Sequence, residues 1–137
     1  MKLLIIGDLH LRAKKLKDVS TAWASAVGWA HKNDVDLIIQ AGDVFDHANV
    51  YGREASTGTI YNAFLGPFVE ESQPRPLFVI PGNHDMGSPK DKDALSPVDR
   101  YPWISVVRKP CVHVINDQLA IAAVPWLNRV HLISRLL

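Results

Sequence analysis

Three short apolar runs each end in a glycine followed by acidic, amide or imidazole side chains: LLIIGDLH at residues 3–10, LIIQAGDVFD at 37–46 and LFVIPGNHD at 77–85. Runs this short and this continuously apolar read as strands buried on both faces rather than as helices. The segments between them carry a different period. From Ser20 to His31, Trp23, Val27 and Ala30 recur at spacings of four and three, one face of a helix, with Ser20 as its N-cap. Between Arg53 and Glu71 a second helix is expected with Ile60, Phe64 and Phe68 on one face, interrupted by Gly58, Gly66 and Pro67. Strand, helix, strand, helix, strand in that order implies an α/β fold with a largely parallel sheet, and ligands of such sheets gather at the carboxyl ends of the strands.

The rest of the chain is less regular. Met86 to Arg100 is polar, contains Pro89 and Pro97, and reads as an exposed loop with one helical turn. Val112 to Ile115 and Leu119 to Val124 flank Asn116-Asp117 as a hairpin, and a last helix is expected from Trp126. A length of 137 residues suits one domain, spanning 1–137. The net charge of +1 gives no global attraction to nucleic acid or membranes, so any such partner must be held by a local patch. A lone cysteine, Cys111, precludes an internal disulfide and reads as a core or strand-edge residue. The first apolar run is too short for a signal segment and no 18-residue apolar run follows, so a cytoplasmic protein without membrane contact is expected. At least three of Trp23, Trp29, Trp103 and Trp126 are expected in packing roles.

Three clusters carry the chemistry: Asp8-x-His10, Gly42-Asp43-x-x-Asp46 and Gly82-Asn83-His84-Asp85. Asp-x-His alone reads by default as a turn aspartate beside a half-buried histidine. A preset tetrapeptide such as GNHD, however, arises by chance in about one chain in a thousand of this length or fewer. Divalent ions take oxygen and imidazole ligands, and side chains delivered one strand end at a time converge where no single helix could place them. A two-metal hydrolase needs a bridging ligand, and a carboxylate on the middle strand suits that role. This casts Asp43 as the bridge, Asp8 and His10 as ligands of one ion, and Asn83 as a neutral ligand of the other. Arg12, Lys14, Lys15 and Lys17 follow the first ligand pair directly, where a phosphate backbone could approach; solvated loop charge explains them equally.

DLH, GDVFD and GNHD resemble, in order, the first three motifs of the calcineurin-like metallophosphoesterases. GDLHL at 7–11, AGDVFD at 41–46 and VPWL at 124–127 look most like the SbcD/Mre-type DNA repair nucleases within that superfamily. The resemblance implies a layered α-β-β-α sandwich of which this chain is the N-terminal portion, with Asp8, His10, Asp43 and Asn83 as ligands of two divalent ions, manganese being implied. It also implies that His84 stabilises or protonates the leaving oxygen and that Asp46 orients His84. Implied partners are DNA, an SMC-like ATPase subunit of the SbcC/Rad type and a second copy in a homodimer. Relatives supply further ligand histidines later in the chain, including a Gly-His-x-His motif that does not occur here. His113 and His131 are not in that context, His31 reads as structural, and His47 borders the site through Asp46. The second ion's site is therefore expected to be incomplete, and the domain to be truncated at its C-terminus with apolar sheet surface exposed.

The function expected is metal-dependent hydrolysis of DNA phosphodiesters, exonuclease and endonuclease, in double-strand-break processing. Two other readings stay open: a phosphoesterase of small molecules or phosphoproteins, and a catalytically inert binding or assembly module.

Overall fold

A computed structural model describes residues 1–48, 50, 57–87 and 93–127. Four strands, β1 (Leu3–Ile6), β2 (Leu37–Gln40), β3 (Leu77–Val79) and β4 (Ile104–Val106), pair in chain order as one parallel sheet. Helix α1 (Leu16–Lys32) connects β1 to β2, and α2 (Thr57–Val69) precedes β3. The hairpin β5 (Cys111–Asn116) and β6 (Leu119–Ala123) forms a separate antiparallel pair turning at Asn116, as its sequence predicts. The C-terminal helix expected from Trp126 falls mostly on residues outside those described.

β2 and β3 are buried along their whole length because both of their faces are covered. Ile38, Leu77, Val79 and Ile104 pack with Trp23, Val27 and Ala30 of α1 and with Ile60, Phe64 and Phe68 of α2. The alternate residues Leu37, Ile39 and Phe78 pack on the other side with Ala123, Cys111, Ile115 and Ile121 of the hairpin. Period-two alternation thus sorts neighbouring residues into a helix-side and a hairpin-side core. Both predicted helix faces are buried as expected. Trp23 joins the helices: its ring stacks on Phe64 at 5.3 Å between centroids, and its Nε1–H donates to the Phe64 carbonyl at 2.8 Å.

Several elements differ from the sequence reading. Helix α1 begins at Leu16, after a 3-10 turn at Ala13–Lys15, so Ser20 is inside the helix and its hydroxyl donates back to the Lys17 carbonyl. Leu16 and Val19 pack against the main core and carry the Trp23 face one turn further toward the N-terminus. β4 was not expected; its three residues are hidden behind Pro102 and Trp103 in a polar neighbourhood. The described part of the loop expected to be exposed, from Asp93, instead inserts Ala94, Leu95 and Val98 into the main core. Of the four tryptophans, Trp23 is buried and Trp103 is partly buried against the core, but Trp29 and Trp126 are 54% and 41% exposed. Ile5, Val112 and Val114 leave apolar sheet surface in solvent.

The inserted segment is anchored by charge as well as by packing. Arg108 binds Asp93 through Nε at 2.6 Å and Asp99 through Nη1 at 2.5 Å. Burial pushes the Asp93 carboxyl up, but the Arg108 hydrogen bonds and charge, with Ser96 and the Leu95 N–H, outweigh it and hold the group below 3.8. A depressed folded value stabilises the fold above the unfolded value and ceases to do so as pH falls through the folded one.

Two outcomes follow. Phe64→Ala should cost about 3–5 kcal/mol in urea unfolding, since it empties the centre of the helix-side core. In Asp93→Asn, the loss of melting temperature on acidification below about pH 3.8 should be shallower than in the parent, measured by calorimetry across that range.

Candidate metal centre

The loops beyond β1 and β2 run side by side as a continuation of the sheet. Asp8 N–H donates to the Gly42 carbonyl at 3.0 Å, His10 N–H to Asp43 at 2.9 Å and Leu11 N–H to Val44 at 2.9 Å. To hold this path Asp8, His10 and Asp43 all take left-handed conformations, with φ of 54°, 48° and 53°. Such a conformation costs a residue with a Cβ about 1–2 kcal/mol. Gly42, at φ 101°, prepares the turn, and the buried Gln40 closes it with its amide, donating to the Gly42 carbonyl and accepting from the Gly42 N–H.

The third loop is fastened to the second by Asp85. Its fully buried carboxylate accepts from the N–H groups of Val44 at 3.2 Å, Phe45 at 3.0 Å and Gly82 at 2.9 Å. Burial raises its pKa, opposed by these three bonds and assisted by the nearby charge of Asp43. In return, Asp43 Oδ1 accepts the His84 N–H at 2.9 Å. Gly82 passes so close that an added Cβ would run into the Asp43 carboxylate and backbone nitrogen.

These contacts bring His10, Asp43 and His84 together, with one potential ligand atom from each lying within 4.8 Å of the others. His10 Nε2 is 3.8 Å from Asp43 Oδ2, and the rings of His10 and His84 meet edge to face at 4.7 Å. One carboxylate and two imidazoles, part-exposed and spaced for a shared ion rather than for direct hydrogen bonds, fit a divalent metal. Asp8 and Asn83, the other expected ligands, are exposed on the first and third of the same loops.

Asp46 reaches His84 through its main chain. His84 Nδ1 is bonded at 2.8 Å to the main-chain carbonyl of Asp46, not to its carboxylate. The carboxylate instead faces His10 Nδ1 at 3.4 Å, Arg12 Nη1 at 3.2 Å and His47 Nε2 at 3.4 Å. Arg12 is thereby ion-paired and leaves the expected basic row, while Lys14, Lys15 and Lys17 remain exposed.

The other histidines are elsewhere. His113 lies against Phe78 on the hairpin, and His31 is fixed between the Val27 carbonyl and the Arg75 N–H. His131 is outside the described residues. Sequence reasoning assigned nothing to Asp85 or Gln40. The available signal was a carboxylate closing GNHD and an amide ending an otherwise apolar strand.

The parallel sheet thus gathers acidic and imidazole side chains at its carboxyl end in an arrangement that suits a divalent ion. The family model for calcineurin-like phosphoesterases matches residues 1–129, and the chain belongs to that family. A search of curated proteins finds no match. The family and the His-Asp-His trio together support metal-dependent phosphoester hydrolysis. Among the described residues no helix is long and apolar enough to cross a membrane.

Gly82→Ala should preserve the circular-dichroism spectrum yet weaken Mn²⁺ binding about 10- to 100-fold in calorimetric titration, because the new methyl displaces Asp43.

Proposed function

We propose that the phosphoester this chain acts on is the DNA backbone, in the manner of the SbcD/Mre-type nucleases. The observation that carries this reading is the position of Lys14, Lys15 and Lys17. All three are exposed, Lys14 and Lys15 in the 3-10 turn and Lys17 in the first turn of α1, a few residues past His10 in the sequence, in a chain whose overall charge is only +1. A local basic row attracts a polyanion without making the whole protein cationic.

Divalent ions held by Asp8, His10, Asp43 and Asn83, manganese being the candidate, would supply Lewis-acid polarisation of the phosphoryl group and activation of a water nucleophile. The residues themselves do the rest. Asp43 shares its carboxylate between the His84 N–H and the cluster, so it is fixed before any ligand arrives. His84, held through Nδ1 by the Asp46 carbonyl, presents Nε2; as an imidazolium it would donate the Nε2 proton to the departing ribose oxygen. Lys14, Lys15 and Lys17 would hold neighbouring phosphates and set the register of the strand.

Membership of the trio also suits His84 to a second role, as a metal ligand through neutral Nε2. The two uses compete for one lone pair, and His84→Ala separates them. A general acid loses turnover far more than Mn²⁺ affinity, whereas a ligand loses both alike.

The substrate is tested by comparing Mn²⁺-dependent turnover of duplex DNA with that of a small p-nitrophenyl phosphodiester. Asp43→Asn should abolish both activities. The triple change Lys14→Gln, Lys15→Gln, Lys17→Gln should lower the ratio of DNA to small-diester turnover and reduce the slope of log affinity against log salt by about 2–3. An unchanged ratio would transfer the assignment to a phosphoesterase of small molecules.

A further inference from the structure

The stretch VPWL takes no part in the chemistry above, yet the fold ties it to the candidate centre. Beyond β6 the in-and-out alternation of the strand continues: Ala123 and Pro125 are buried, while Val124 and Trp126 are exposed. The Trp126 N–H donates to the Pro81 carbonyl at 2.9 Å. Pro81 opens the loop that carries Asn83 and His84, so this bond fastens the backbone of Trp126 to the root of that loop. By standard backbone dimensions the Asn83 Cα is then no more than about 10 Å from the Trp126 nitrogen.

Packing does not account for the side chain held there. Trp23 stacks on Phe64 and bonds to its carbonyl, and Trp103 lies against Tyr101. The Trp126 indole makes no ring contact and no hydrogen bond with another described residue. Trp29 is exposed too, but it stands in the last turn of α1, at the end of the sheet where β2 begins and away from the metal loops. Trp126 alone of the four pairs an open indole with a backbone fixed beside those loops.

A planar indole next to a site for phosphoester hydrolysis suits the flat face of a nucleobase, which stacks on aromatic side chains whatever the sequence. Bases inside a duplex are already stacked on one another, so only a single strand or a frayed end offers a free face. The span to Asn83 is covered by about three nucleotides at a spacing of about 3.4 Å.

We infer that Trp126 is a specificity-determining residue, which stacks on an unpaired base a few nucleotides from the reacting phosphate and favours single-stranded over fully paired DNA. The inference rests on the DNA reading above and narrows it. Stacking is not ionic, so Trp126 adds affinity without adding salt dependence, which falls to the lysines.

The test is fluorescence anisotropy of the full chain with Mn²⁺ and labelled DNA whose phosphorothioate backbone resists cleavage. Three probes are compared: an oligothymidylate of about eight nucleotides, the same oligomer with abasic sugars throughout, and a blunt duplex. The parent should bind the oligothymidylate more tightly than either of the others. Trp126→Ala should lower that affinity about 5- to 100-fold, with an unchanged slope of log affinity against log salt. Trp126→Phe should restore most of the loss, and Trp29→Ala should match the parent.

Equal affinity of the parent for the normal and abasic oligomers overturns the inference without any variant, so a variant that fails to fold does not shelter it. Undiminished binding by Trp126→Ala overturns it as well, and so does a loss of the same size for duplex and single strand. DNA binding that does not depend on Trp126 leaves the DNA reading standing, whereas a parent that binds none of the probes sinks both.

Discussion

The buried carboxylate of Asp85 is the constraint on which the site depends. It takes three main-chain N–H groups, two from the loop after β2 and one from the loop after β3. Those donors would otherwise be buried without partners, and each orphan costs about 1–3 kcal/mol. A neutral side chain of similar size has too few acceptor lone pairs to serve all three. The carboxylate therefore determines the distance between Asp43 and His84, and the Asp43–His84 bond is its direct result. Burial opposes the charge that this role requires, and the three bonds only partly offset it.

Strain is distributed in the same region. Asp8, His10 and Asp43 lie in the left-handed region although none is glycine. Aspartate and histidine enter that region more readily than β-branched residues, so side chains chosen for their donor atoms also tolerate the backbone they stand on. The hydrogen-bonded run from Asp8 to Leu11 along Gly42 to Val44 supplies the compensation. The centre is rigid because two loops lie against each other as if they were strands.

Much of this was legible in the residues. Period-four spacing located the buried faces of both helices, since Trp23, Val27, Ile60, Phe64 and Phe68 are all in the core. Glycines after apolar runs located the strand ends, because a continuous run has nowhere to stop except at a turn. What failed did so where long-range packing overrides local pattern. The segment ALSPV looked like a loop, and becomes core because Tyr61 and Arg108 hold it there, the former through the Ala94 carbonyl. Asp46 was assigned to the correct histidine, and the contact is made by its main-chain carbonyl. A sequence shows that a residue is near a site and not whether its main chain or its side chain will reach it. Arg12 was grouped with three lysines by proximity alone, and only the fold separates it from them.

Strand order equal to chain order has a kinetic corollary. Each strand of the sheet pairs with the one made just before it, so assembly can follow synthesis from the N-terminus. β2 needs only β1 as a template, and β3 only β2. The segment from Gly82 to Asp85 follows both of the strands whose loops it joins, and Asp85 takes two of its donors from a turn that precedes it in the chain. The His10–Asp43–His84 trio is thus drawn wholly from the first 85 residues and is closed by a single carboxylate.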